Sequence, residues 1–156
     1  MKKILSLALL TATLLVAGRI VKAEEAPKTI LFVCEHGAAK SVIAVAYFNR
    51  LAEEQKINVR AISRGTTPDE KVPPFIVANL KKDGLDLGAF TPTKLAKKDA
   101  DQAVAIVAFC EIPKEIAEPA RVSSWLDTPS FSTDYEKAKA VMLSRVETLV
   151  AELKGK

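Results

Sequence analysis

Across its 156 residues the chain has only two cysteines, one histidine and one tryptophan. Two thiols cannot build a zinc site of four cysteines, and His36 as the sole histidine excludes a histidine-rich metal centre. Acidic residues are missing from the first 23 positions, where Lys2, Lys3, Arg19 and Lys22 account for the whole formal charge of +4. Residues 24–156 carry 19 charges of each sign. That balance leaves no clustered cationic surface to neutralise phosphates, so nucleic acid is not expected as a partner. The longest apolar run, Ile4 to Ala17, has 14 residues and falls short of the ~20 that span a bilayer. Internal repeats and low-complexity tracts are also lacking.

The start of the chain instead has the three parts of a secretory signal peptide: Lys2 and Lys3, the run from Ile4, and small side chains in Val21-Lys22-Ala23 at a cleavage site. Residues 1–23 are therefore expected to be removed, leaving a periplasmic or secreted protein that begins at Glu24 and makes no membrane contact. No cysteine stands directly after the cleavage site to take a lipid. With 49% hydrophobic and 27% charged residues, the rest is expected to form one domain over 24–156, large enough to fold without disulfide staples. Cys34 and Cys110 both remain, in a compartment that permits pairing.

Thr29 to Val33 is a short continuous apolar run, read as a strand buried on both faces. A helix is expected from Ser41 to Gln55, with Ala44, Phe48 and Leu51 on its core stripe. A second strand is read over Asn58 to Ser63, broken by Arg64-Gly65-Thr66-Thr67-Pro68. Pro73 suits the first turn of a helix that Gly84 stops near Asp83. A short Lys-rich helix near Leu95, a fully buried strand from Ala103 to Phe109 and a fourth strand at Arg121 to Ser124 follow. The last helix is expected behind a capping box of Thr133 and Glu136, with Tyr135, Ala138, Met142, Val146, Leu149 and Leu153 at steps of three and four. Strands alternating with helices give an α/β fold with a parallel sheet.

The chemistry is concentrated in Cys34-Glu35-His36-Gly37-Ala38-Ala39-Lys40-Ser41, between the end of a buried strand and the start of a helix. Ligands bind at that edge in open α/β sheets. Small residues let successive N–H groups turn inward on an anion, and the helix N-terminus adds roughly half a positive charge. The same field favours the thiolate of Cys34, the nucleophilic form. Lys40 supplies a cation at the rim, and Ser41 either caps the helix or hydrogen-bonds the thiolate. His36 is either an ordinary loop residue or an ion-pair partner of the thiolate. A nucleotide P-loop is excluded because the glycine before the lysine is missing.

This loop resembles the Cys-x5-Arg-Ser loop of the low-molecular-weight protein tyrosine phosphatases and the thioredoxin-coupled arsenate reductases. Ser63-Arg64-Gly65-Thr66, Gly84-Leu85-Asp86-Leu87 and Trp125-Leu126-Asp127-Thr128-Pro129 are similar to further family segments in the same order, so the resemblance spans Thr29 to Leu153. It implies a three-layer domain with four parallel strands in the order 2-1-3-4. It also implies Cys34 as nucleophile, Lys40 at the position of the oxygen-gripping arginine and Asp127 as proton donor to the leaving group. Three departures accompany it: lysine for arginine at position 40, Thr128 between Asp127 and Pro129, and Gly37 for the usual asparagine.

The resemblance implies a cysteine-dependent phosphatase acting on phosphate monoesters or a related oxyanion, with no cofactor and no metal. The alternatives are an arsenate reductase-like enzyme served by a thiol reductant and a binding protein that retains phosphate or arsenate without turnover. Cys110 matches the first resolving cysteine of the reductases, whereas the second would fall at Ala117. Adjacent strands lie about 4.8 Å apart and a disulfide needs Cα atoms roughly 4.4–6.8 Å apart. A Cys34–Cys110 bridge is therefore open if the two side chains face each other.

Overall fold

The computed structural model describes residues 25–155; the leader read over residues 1–23 lies outside them. Its elements run β1 (Lys28–Cys34), α1 (Lys40–Glu54), β2 (Val59–Gly65), α2 (Pro74–Lys82), α3 (Lys97–Gln102), β3 (Ala103–Ala108), β4 (Val122–Ser124) and α4 (Tyr135–Lys154). The strands form one parallel sheet in the order β2-β1-β3-β4.

β1 is the central strand because its apolar residues can be buried on both sides at once. Ile30, Leu31, Phe32 and Val33 are all fully buried, and they alternate between two cores. Ile30, Phe32 and Cys34 point into the larger core with residues of α1, α2 and α4, whereas Leu31 and Val33 join Leu95 and Ala100 beside α3. Phe32 anchors the larger core, with ring centroids of Phe48 at 5.8 Å, Trp125 at 6.0 Å and Phe109 at 6.3 Å. Burying one such side chain contributes about 1.5–3 kcal/mol.

Three sequence expectations are corrected. β3 is not buried throughout, because its pairing with β1 jumps from Thr29↔Ala103 to Ile30↔Ala105. Val104 is the extra residue of this bulge, and its side chain is 56% exposed. β2 does not break at Arg64: Gly65 N–H donates to the Thr93 carbonyl at 2.9 Å and its own carbonyl accepts from Leu95 N–H at 2.8 Å, which extends the pairing. The cap of α4 lies one residue later than the Thr133–Glu136 box, since Asp134 accepts from Lys137 N–H at 3.0 Å. A carboxylate there also suits the helix dipole. Ala138, Met142, Val146 and Val150, at steps of four, form the buried seam of this helix.

Candidate active site

Cys34 closes β1 and Lys40 opens α1, so the five residues between them must reverse the chain at the C-terminal edge of the sheet. The turn is held from outside. Backbone carbonyls of Cys34, Glu35 and His36 accept from Thr66, Thr67 and Asp69 N–H at 3.3, 2.8 and 3.0 Å. These carbonyls face the neighbouring loop, and among the described residues no backbone carbonyl takes up the N–H groups of residues 36–40, which are left as the unspent donors. Gly37 makes the fit between the loops possible. Its φ is +59°, and a Cβ there would lie 2.8 Å from the nitrogen of Gly65, while one on Gly65 would lie 2.8 Å from the nitrogen of Gly37. The side chain that the family's asparagine would bring has no room in this arrangement.

The thiol of Cys34 is buried, with its Sγ 2.9 Å from Ser41 Oγ. Ser63 Oγ donates to Ser41 Oγ at 2.8 Å, which leaves the proton of Ser41 for the sulfur. A thiolate can only accept, so Ser41 becomes the donor once Cys34 ionises. Ala39, not Ser41, occupies the N-cap, without a side-chain bond. Ser41 is therefore available to the thiolate.

Lys40 reaches across the mouth, and its Nζ donates to the Thr128 carbonyl at 2.6 Å. Asp127 is brought to the same side by a short loop that Trp125 fixes. Trp125 N–H donates to the Ala108 carbonyl at 2.8 Å, and Thr128 Oγ1 donates back to the Trp125 carbonyl at 2.8 Å. The Asp127 carboxylate does not stand alone there, since Arg145 of α4 grips both of its oxygens at 3.0 and 2.7 Å. This guanidinium holds the Asp127 carboxyl below the usual carboxylate range.

His36 is exposed and places Nδ1 3.1 Å from Asp69 Oδ1 and Nε2 3.9 Å from Oε2 of the exposed Glu35. Ala38 is buried beneath the loop. Cys110 is not bonded to Cys34, although Cys34 and Glu35 are near enough to act on its thiol. It packs against the smaller core on the α3 side, and both thiols are free. It lines a groove of about 270 Å³ with Glu111, Ile112, Lys114 and Leu126. Burial pushes its thiol up, with a smaller opposing influence from the Thr66 hydroxyl. Ala117 is buried in the same core.

Ser63 and Arg145 were not among the residues that the sequence pointed to for this site. Ser63 lies in a segment the resemblance had matched, which was a usable signal. Arg145 had none, being one of several basic residues on an amphipathic helix.

A parallel sheet with a cysteine at the end of its first strand, facing a helix N-terminus through an outward-tethered loop, defines a class of oxyanion-handling cysteine proteins. Residues 29–153 match the family described as low molecular weight phosphotyrosine protein phosphatase, and the chain belongs to that family. No curated protein matches it in sequence. Among solved structures it is similar to YfkJ from Bacillus subtilis, at 18% identity over 84% of this chain and 97% of the other, with a TM-score of 0.74. The YwlE arginine phosphatase from Geobacillus stearothermophilus is similar at 19% identity over 83% and 94%, with a TM-score of 0.68. An arsenate reductase from Archaeoglobus fulgidus shares 26% identity over 78% and 98%, with a TM-score of 0.62.

Proposed function

We propose that the chain is a cysteine-dependent phosphatase that transfers a phosphoryl group from a phosphate monoester to Cys34 and from there to water. The observation that carries this reading is the Cys34–Ser41–Ser63 chain of hydrogen bonds at 2.9 and 2.8 Å beside the start of α1. It supplies a stabilised nucleophile where the loop's unspent N–H groups and Lys40 converge on an anion. The phosphoryl oxygens would take the N–H donors of residues 36–40. Phosphate, or arsenate as its isostere, would occupy the same cradle as product or inhibitor.

Reduction of arsenate by a thiol reductant is the second reading, supported by the likeness to the Archaeoglobus fulgidus enzyme and by Cys110 close after β3. Hydrolysis is the better supported of the two. Cys34 and Cys110 pack against different cores and are not bonded, and a thiol pushed up by burial is a slow attacking partner. Export to the periplasm or medium belongs to the same proposal and rests on the leader pattern alone.

The test is turnover of 4-nitrophenyl phosphate by the wild type and by Cys34→Ser, with acid-quenched samples weighed intact for a phosphoryl adduct. The wild type is expected to release nitrophenol and to carry the adduct on Cys34, and the variant to do neither. Turnover that survives in the variant would overturn the proposal. Tight phosphate binding without turnover would identify a binding protein instead. Arsenate-dependent oxidation of a dithiol, lost in Cys110→Ser, would establish the reductase.

A further inference from the structure

The ion pair between Asp127 and Arg145 is built differently from most pairs at a protein surface. Nη1 lies 3.0 Å from Oδ1 and Nη2 lies 2.7 Å from Oδ2, so two planar groups meet edge to edge. The arginine is held independently of the aspartate. Its Nη1 also donates to Thr128 Oγ1 at 3.0 Å, and its guanidinium carbon lies 5.7 Å from the centre of the Trp125 ring. Trp125 is in turn wedged against Phe32 and Phe109 of the core, and Thr128 is buried. Flexible surface pairs contribute little because both side chains must be ordered. Here the cation is ordered by other contacts, and the carboxylate docks on a preformed fork.

Two cations act on the Asp127 carboxyl, Arg145 from α4 and Lys40 from the start of α1. Protonating Asp127 would sacrifice one of the two hydrogen bonds to Arg145, since a protonated oxygen no longer accepts as a carboxylate does. The residue at the family's proton-donor position is thereby held in the form that has no proton to give.

We propose that Arg145 is a positioning residue that keeps Asp127 engaged as a carboxylate, so that the site acts on phosphoryl compounds whose leaving group departs as a stable anion. Acyl phosphates, phosphoanhydrides and aryl phosphates of acidic phenols belong to this class. The inference rests on the phosphatase reading above and narrows its substrate. In the first step the Cys34 thiolate forms an S–P bond while the P–O bond to the leaving group breaks, its electron pair staying on the departing oxygen. With no acid at hand that oxygen leaves as an anion, and water protonates it afterwards if it is basic enough. In the second step water attacks phosphorus, the S–P electron pair returns to Cys34, and the water's proton passes to solvent. Alkyl monoesters are disfavoured because an alkoxide leaves poorly, and phosphoramidates because their nitrogen must be protonated before it leaves.

A positioned general acid contributes roughly 10²–10⁴-fold for a basic leaving group. The wild type is therefore expected to favour 4-nitrophenyl phosphate over phenyl phosphate by at least about 100-fold in kcat/KM, and to accept acetyl phosphate. Arg145→Met should compress that preference by about tenfold or more and add an acid-dependent limb to the pH profile for phenyl phosphate. Arg145→Lys, which keeps the charge but loses the fork, should fall between the two. In parallel, the Asp127 side-chain carboxyl carbon, followed by NMR in the wild type, should titrate below the usual ~3.9 and shift upward in Arg145→Met. The wild-type measurements decide the matter alone if the variants do not fold. Phenyl and nitrophenyl esters cleaved at similar rates, or an Asp127 titrating at or above the usual value, would overturn the inference and leave the phosphatase standing. Absence of a Cys34 adduct with every substrate would remove both.

Discussion

Lys40 Nζ donates to the Thr128 carbonyl at 2.6 Å, which ties the first residue of α1 to the loop that carries Asp127. A lysine engaged in this way offers a phosphoryl group a point charge and no second, parallel hydrogen bond. Lys40→Arg could keep the carbonyl contact with one N–H and present another edge to the substrate. Its kcat/KM for 4-nitrophenyl phosphate is expected to rise by about tenfold, the worth of one added charge-assisted hydrogen bond in the transition state. Steady-state kinetics check this, and an unchanged value with intact phosphate binding would assign Lys40 to holding the loop.

Ser41 is fully buried between Cys34 and Ser63, so its hydroxyl has no work other than this chain of bonds. Ser41→Ala removes the donor nearest the sulfur and leaves the fold nearly intact. A hydrogen bond to a charged group is worth about 1.5–3 kcal/mol, so alkylation of Cys34 by iodoacetamide at neutral pH should slow by about tenfold or more. Quantitative mass spectrometry of the labelled peptide measures it. An unchanged rate would show that the helix N-terminus alone activates the thiolate.

Asp83 joins three elements at the far end of α2. It accepts from Tyr47 of α1 and takes Lys139 of α4 on both oxygens at 3.0 and 2.9 Å. The Tyr47 hydroxyl and then Lys139 hold its carboxyl below the usual value. A lowered folded-state value means stability that is present above pH ~4 and is lost as pH falls through the folded value. Lys139 and Tyr47 are shifted the other way, Lys139 by Asp83 and Tyr47 by burial, so their contributions hold below pH ~10 and fade above it. Asp83→Asn should cost about 1–3 kcal/mol near neutrality. The gap to wild type should close on acidification below pH ~4. Urea melts at a series of pH values test both statements.

The parts of this architecture that depend on composition were legible in the sequence. β1 and the helical seams announce themselves because burial on two faces, or on one stripe, dictates which residues are apolar. The place of the loop from Cys34 to Ser41 was legible for a related reason, since a buried apolar run that passes into an amphipathic stripe leaves the residues between them at the sheet edge. Parity was not legible. Whether Cys110, just past the end of β3, packs against the same core as Cys34 depends on a single step in an alternation that the Val104 bulge has already shifted in that strand. The hold of Arg145 on Asp127 was equally hidden, because it joins positions 18 apart through a helix rotation that exposed residues do not record.

The close approach of Gly37 and Gly65 also bears on when the site comes into being. The loop after β1 is short and local, yet its shape is moulded against a residue that arrives only with β2. That contact is closed only when the crossover through α1 brings β2 beside β1, a non-local pairing. A nascent chain that has made β1 and α1 but not β2 therefore holds Cys34 without the cradle. Under the proposed function, Cys34 and its cradle would come together only with the last approach of the two loops, and a partly folded molecule would not be a partly active one.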